Sequence, residues 1–266
     1  MSSLTYAVTD SATMLRRTLR HILRYPAMLA ASLGVPVILL LFFVGLLGRT
    51  LGAGLTASHV GSVGHGSYID YVAPAIVLLT VASGCMATSV AVCVDTTEGI
   101  INRFRTMSIS RSSLLTGHVI ASVIQTLVSV ALVIGVAVAM GWRPSGGALA
   151  WLAAVGLIVL LSFALTWLAV AIGLISKTPE SSSNTPMLIQ FLPFLGSSFV
   201  PAASMPAGVR WFAEYQPFTA LNQTLRGLLN GGPIGNDALI SIAWCLGILV
   251  VGYWWARTVF QRGRVR

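Results

Sequence analysis

The sequence predicts an all-α, polytopic membrane protein with six transmembrane helices, and three observations carry that reading. Of the 266 residues 56% are hydrophobic and only 9% are charged, against roughly 25% charged in soluble domains. Apolar stretches recur along the chain at the ~20 residues needed to cross about 30 Å of hydrocarbon at 1.5 Å rise per residue. Lys and Arg alternate between rich and poor loops, as the positive-inside bias requires.

Residues 9–25 (TDSATMLRRTLRHILRY) predict an amphipathic helix along the lipid surface. Met14, Leu15, Leu19, Ile22 and Leu23 lie opposite Arg16, Arg17, Arg20 and Arg24, so the basic face meets anionic headgroups. A spanning-length run follows, and the start of the chain reads as a signal anchor, not a cleaved signal.

The predicted spans are 27–48, 72–94, 112–141, 148–175, 185–203 and 238–259. The third carries His118 and Gln125, with His118 near its cytoplasmic end in a snorkelling or interhelical hydrogen-bonding role. The fifth is weaker, being broken by Pro193 and Pro201, and the sixth ends in the interfacial pair Trp254 and Trp255. The Gly-, Ser- and Thr-rich stretch 50–67 reads as an outer loop, with His59 and His65 as loop residues. Cys85, Cys93 and Cys245 sit inside apolar runs and read as small packing residues.

With the N-terminus in the cytoplasm, the inner segments hold twelve basic residues and the outer ones four: Arg49, Arg143, Arg210 and Arg226. Both termini are then cytoplasmic. The net charge of +9 follows from this bias and calls for no nucleic acid.

The acids exclude as much as they include. None of Asp10, Asp70, Asp95, Glu98, Glu180, Glu214 and Asp237 falls near the middle of a span. A proton- or sodium-driven carrier places a carboxylate there. A phosphate-cradling loop needs Gly-Lys-Ser/Thr, and the one lysine, Lys177, follows Ser176. Any fuel is therefore burned by another polypeptide. An intramembrane serine hydrolase would need a Gly-x-Ser-x-Gly nucleophile turn, and the sequence has none.

Residues 95–111 (DTTEGIINRFRTMSISR) fit a cytoplasmic handle for such a polypeptide. Asp95 and Thr96 can cap a helix whose first turn holds Glu98. Ile100, Ile101, Phe104 and Met107 form a short apolar stripe flanked by Arg103, Arg105 and Arg111. A groove on a partner would accept such a helix; so would the lipid surface.

Residues 204–232 are too polar and broken to span, yet apolar on balance. Pro217 divides them into two short helices, and Arg210 and Glu214 are spaced to pair on one face. Irregular backbone at membrane depth needs cover from protein or water, so two re-entrant helices suit this composition. Arg210, Glu214, Pro217 and Arg226 are candidate gate residues, with a rigid lid as the alternative. Gln190, Phe191, Phe194, Ser197, Ser198 and Phe199 are candidates for a cargo path taking a hydrophobic or amphipathic compound, such as a drug-like molecule or a lipid. Small residues there would equally serve helix packing.

Three segments resemble the daunorubicin-resistance-like branch of the ABC-2 type exporter permeases. EGIINRFRTMSISRSSLLTGHV (98–119) is similar to the family's coupling segment, with Ser108 where many relatives have Pro and Thr97 where they have a basic residue. FLGSSFVPAASMPAGVRWFAEYQPFTALNQTLRGLLNGG (194–232) is similar to the end of the fifth span and the outer re-entrant helices. YIDYVAPAIVLL (68–79) is similar to the start of the second span, with Ala75 where Gly is common. The resemblance implies one ABC-2 type transmembrane domain over 1–266. It implies a coupling helix at 96–110 carried by Glu98, Gly99, Ile101, Arg103, Phe104, Arg105, Met107 and Arg111, seated on a separate ATP-binding subunit. It further implies a second permease subunit, identical or not, and a place in the plasma membrane. ATP and Mg belong to the ATP-binding subunit; this chain is expected to bind no cofactor or metal and to have no catalytic residue.

Overall fold

The computed structural model describes residues 26–46, 48, 68–97, 111–199 and 205–261. The expected amphipathic helix 9–25, the loop 50–67 and most of the coupling helix, 98–110, lie outside the described residues. Every regular element among the described residues is helical: α1 (Pro26–Leu41, continued by a π turn Phe42–Leu46), α2 (Tyr68–Thr97), α3 (Arg111–Ala139), α4 (Ala148–Ile175), α5 (Pro179–Phe191), α6 (Ala207–Tyr215), α7 (Pro217–Asn230) and α8 (Asp237–Gln261). Four of these, α2, α3, α4 and α8, are long and apolar enough to cross a membrane.

The expected fifth span, 185–203, is not one continuous helix. Its helix begins earlier because Thr178 and Ser181 form a reciprocal cap. The Ser181 N–H donates to Thr178 Oγ1 at 3.2 Å, and the Thr178 N–H to Ser181 Oγ at 3.3 Å. Pro179 then occupies the first helical position, where its missing N–H costs nothing. The helix ends at Phe191, before Pro193, and tightens into a 3-10 turn over Leu192–Leu195. Thirteen residues reach about 20 Å, short of a bilayer's hydrocarbon.

Helix α4 is the central post. It packs against α2 on one side and α8 on another, while α5 and α3 pack on α2, and α7 touches α2, α4 and α8. The spanning window of α4 is 72% buried and that of α8 only 17%, so α8 lines the periphery. Its outward residues, Leu239, Leu246, Val250, Val251 and Trp254, are exposed and apolar, as a lipid-facing surface requires.

Lipid is as apolar as leucine, so helices here associate by close packing at small residues. A Cβ on Gly173 of α4 would lie 2.6 Å from the Ser89 carbonyl oxygen and 2.9 Å from Val92 Cβ on α2. One on Gly252 of α8 would lie 2.8 Å from the Leu168 backbone nitrogen. These two glycines let α2 and α8 approach α4 at backbone distance.

Gly173→Ala should therefore destabilise the purified protein by about 1–3 kcal/mol, the usual cost of overpacking. Gly156→Ala, whose new Cβ meets nothing within 4 Å, should be neutral or mildly stabilising. Thermal unfolding in detergent checks the pair, and equal effects would refute close approach at Gly173.

Candidate functional site

The chemistry of the site begins with a missing donor. Pro74 lies inside α2, and proline has no N–H to give the carbonyl four residues earlier. That carbonyl belongs to Asp70. Asn230, at the end of α7, donates its Nδ2 to it at 2.6 Å. One turn earlier on α7, Arg226 donates Nη2 to the adjacent Tyr71 carbonyl at 3.1 Å. Its guanidinium carbon also sits 3.6 Å from the centroid of the Tyr71 ring, a cation–π contact. Burial pulls the Arg226 pKa down from its ordinary value, and Tyr71 opposes this.

The same turn of α2 reaches the chain beyond α5. Tyr71 donates its hydroxyl to the Ser197 carbonyl at 2.9 Å, and Tyr68 to that of Phe199 at 3.4 Å. Ser197 N–H donates to Thr219 Oγ1 at 3.3 Å, and Thr219 in turn donates to the Ala213 carbonyl at 2.5 Å. Gly196 lies against the Gln216 side chain with no room for a Cβ. Helix α7 closes at Gly231, whose φ of 73° is left-handed. There Trp142 Nε1 donates to Asn230 Oδ1 at 3.4 Å, and Ser145 to the Asn230 carbonyl at 2.9 Å. Four stretches of chain thus meet at one end of the bundle. Asn222, on the same helix, is 0% exposed, and neither of its amide atoms has a hydrogen-bond partner among the described residues.

A second junction lies at the other half of α2. Pro186 lies inside α5, and the carbonyl it leaves without an N–H belongs to Ser182. Ser89 donates its hydroxyl to that carbonyl at 3.0 Å, with the two hydroxyls 2.8 Å apart. Nearby, Gln190 Nε2 donates to Ser83 Oγ at 3.0 Å.

The expected gate residues separate into two places. Arg226 is in the junction, and Pro217 occupies the first position of α7. Arg210 and Glu214 pair at 2.8 Å on α6, but with side chains 51% and 44% exposed. Such a surface pair is worth only about 0.3–0.5 kcal/mol. Of the expected cargo-path residues, Phe194 and Phe199 stack at 4.8 Å, and Phe199 stacks at 4.7 Å on Phe43 of α1. Phe191 reaches the surface at 50% exposure, Ser197 and Ser198 are buried, and Gln190 is engaged by Ser83. Of the expected coupling residues, Glu98, Gly99, Ile101, Arg103, Phe104, Arg105 and Met107 lie outside the described residues; Arg111 opens α3. Sequence reasoning missed Tyr71, Asn230, Ser89 and Phe43. The signal for two of them was present: an interior proline on one helix and an amide or hydroxyl on another.

The family model for the ABC-2 type transporter matches residues 10–230. The chain belongs to the ABC-2 type transporter family. Of the segments that carried the resemblance, 68–79 and 98–119 fall inside the match, and 194–232 does so up to residue 230. As an ABC-2 permease it is a multi-pass membrane protein of the ABC transporter class. The daunorubicin resistance ABC transporter permease protein DrrB1 of Streptomyces coeruleorubidus is 25% identical over 226 residues, covering 85% of this chain and 76% of the relative. The probable doxorubicin resistance ABC transporter permease protein DrrC of Mycobacterium tuberculosis (strain CDC 1551 / Oshkosh) is 25% identical over 189 residues, covering 71% and 68%.

Arg226→Ala in this permease removes a charged donor from two contacts at once and should cost about 1.5–3 kcal/mol. Arg226→Lys should recover part of that, since an ammonium keeps the charge and loses the planar fork. Thermal unfolding of the purified variants checks the order; a fully stable alanine variant would remove the contact from the fold's support.

Proposed function

We propose that the chain is the membrane subunit of an ATP-driven exporter. It moves a hydrophobic or amphipathic cargo, a drug-like compound or a lipid, out of the cytoplasm or the inner leaflet. The observation that carries this reading is the family match over residues 10–230, in a sequence whose one lysine lies in no phosphate-cradling loop. A separate ATP-binding subunit consumes ATP with Mg, and a second permease subunit completes the pathway. The relatives named for daunorubicin and doxorubicin resistance favour a drug-like cargo.

In this proposal six spans cross the plasma membrane with both termini cytoplasmic. Helices α2, α3, α4 and α8 are four of them. The first is built on α1, and the fifth on α5 with the chain up to residue 203. Helices α6 and α7 form the outer re-entrant segment. Asp95 and Thr96, expected to cap the start of a new helix, lie instead in the last turn of α2, which runs to Thr97. The coupling segment 96–110 thus begins within α2 and seats Phe104 in a cleft of the ATP-binding subunit, its basic residues on the rim. Closure of two nucleotide-loaded subunits pushes this helix, and α2 with it. The aromatic series of Phe191, Phe194 and Phe199, extended by Phe43, offers apolar cargo a run of rings from the half-exposed Phe191 to the buried Phe199.

Two measurements test this. Phe104→Cys should crosslink to a cysteine in the cleft of the co-expressed ATP-binding subunit, and purified permease alone in nucleotide-free vesicles should move no cargo. Cargo movement by the lone chain, driven by an ion gradient, would overturn the proposal. Glu214→Gln examines the gate: reduced transport with unchanged assembly is expected, and intact transport would leave α6 as a lid.

A further inference from the structure

The hydroxyls of α2 mostly serve their own helix. Thr80, Thr88 and Thr96 donate to the carbonyls of Ile76, Gly84 and Val92, each four residues back, at 2.7–2.8 Å. Ser89 does not; it crosses to Ser182 of α5. The carbonyl it finds is the one that Pro186 leaves without a helical donor. At the other end of α2 the relation is reversed. Here α2 contains the proline, Pro74, and Asn230 of α7 brings the donor to Asp70. The same device is thus used twice, in opposite directions, on one helix.

The position of the two contacts matters more than their number. Residues 70 and 89 are separated by about 28 Å along a helix, nearly the thickness of the apolar layer. Between them runs a stiff element with one weak point, since an interior proline removes a ladder bond and eases bending. Asn230 bonds across that weak point. Arg226, four residues before it on α7, grips the adjacent carbonyl and ring of Tyr71. A displacement at the Thr97 end of α2 therefore reaches α5 through Ser89 and the α6–α7 segment through Asn230.

We propose that Asn230 and Ser89 are positioning residues of transport. Each replaces the backbone N–H that a proline removes, and together they make α2 a strut linking the coupling segment to α5 and α7. This rests on the coupling role assigned to residues 96–110 above.

The replacement can be tested by giving the backbone its donor back. Asn230→Ala should lower the Tm of the purified full chain by roughly 2–4 °C. In vesicles with the ATP-binding subunit, cargo movement should fall while ATP hydrolysis continues. Adding Pro74→Ala, which restores an N–H opposite the Asp70 carbonyl, should recover most of both losses; Pro186→Ala should not. Ser89→Ala should show the converse pattern, relieved by Pro186→Ala and not by Pro74→Ala. If Asn230→Ala fails to accumulate, Asn230→Asp removes the donor and keeps the acceptor for Trp142, and is read against the same two proline variants. Relief by either proline replacement alike, or by neither, overturns the donor role. Recovery of Tm without recovery of transport overturns the strut. The Tm series needs no second protein, so a failure of Phe104→Cys to reach an ATP-binding subunit would strike the function proposed above and leave the donor role standing or falling by itself.

Discussion

A helix surrounded by lipid has no water to satisfy a carbonyl that its own backbone leaves unmet. That constraint organises this permease. Pro74 and Pro186 each remove one N–H from a helix, and each resulting carbonyl is met by a side chain from a different helix: Asn230 in one case and Ser89 in the other. A local defect becomes a tertiary contact with a fixed address. Hydrophobic burial could not supply that address, because leucine side chains pack as comfortably against lipid as against one another. Close approach at Gly173 and Gly252 brings the helices together; the proline-directed hydrogen bonds set their register.

Much of the fold is legible in the sequence because length and apolarity suffice to read it. Helix α4 occupies Ala148–Ile175, the range that the apolar run alone marks out. Helix α2 extends beyond the predicted 72–94 at both ends, to Tyr68 and Thr97. Hydropathy sees only the lipid-compatible part of a helix, whereas the first turn of α2 is held by polar contacts from Asn230, Arg226 and Ser197. Helix α5 was misplaced for a related reason. Its start is set by the Thr178–Ser181 cap and Pro179, which hydropathy assigns to a loop, and its end by Pro193. The family was legible from three segments that together sample the chain from residue 68 to residue 232, and the family match over 10–230 takes in nearly all of them.

The site was less legible because its members are far apart in sequence. Arg226 could be named as polar and candidate, but not its seat on Tyr71, 155 positions away. Asn230 sits in the stretch LLNGG, and its backbone ends α7. Only the fold shows that its amide turns to α2 and to Trp142. The Arg210–Glu214 pair illustrates the opposite case. It is local, so spacing predicted it correctly, and it is exposed, so its energy is small.

The energetic asymmetry between these two kinds of contact decides which residues control the molecule. An exposed ion pair trades water for a protein partner and returns only a few tenths of a kcal/mol. A buried carbonyl that loses its donor is left with the whole penalty of desolvation, about 1–3 kcal/mol in protein mutational data. The penalty also falls at a particular place, the stretch of α2 around Pro74. Breaking the Asn230 contact takes from the Asp70 carbonyl the donor that α7 brings to it, so in the strut proposed above the change that loosens the fold would also release α2 from α7. In that proposal, stability and transmission are properties of one bond. At Pro74 and at Pro186 a neighbouring helix holds the carbonyl that the proline has freed, and in holding it that neighbour is tied to the helix it supports.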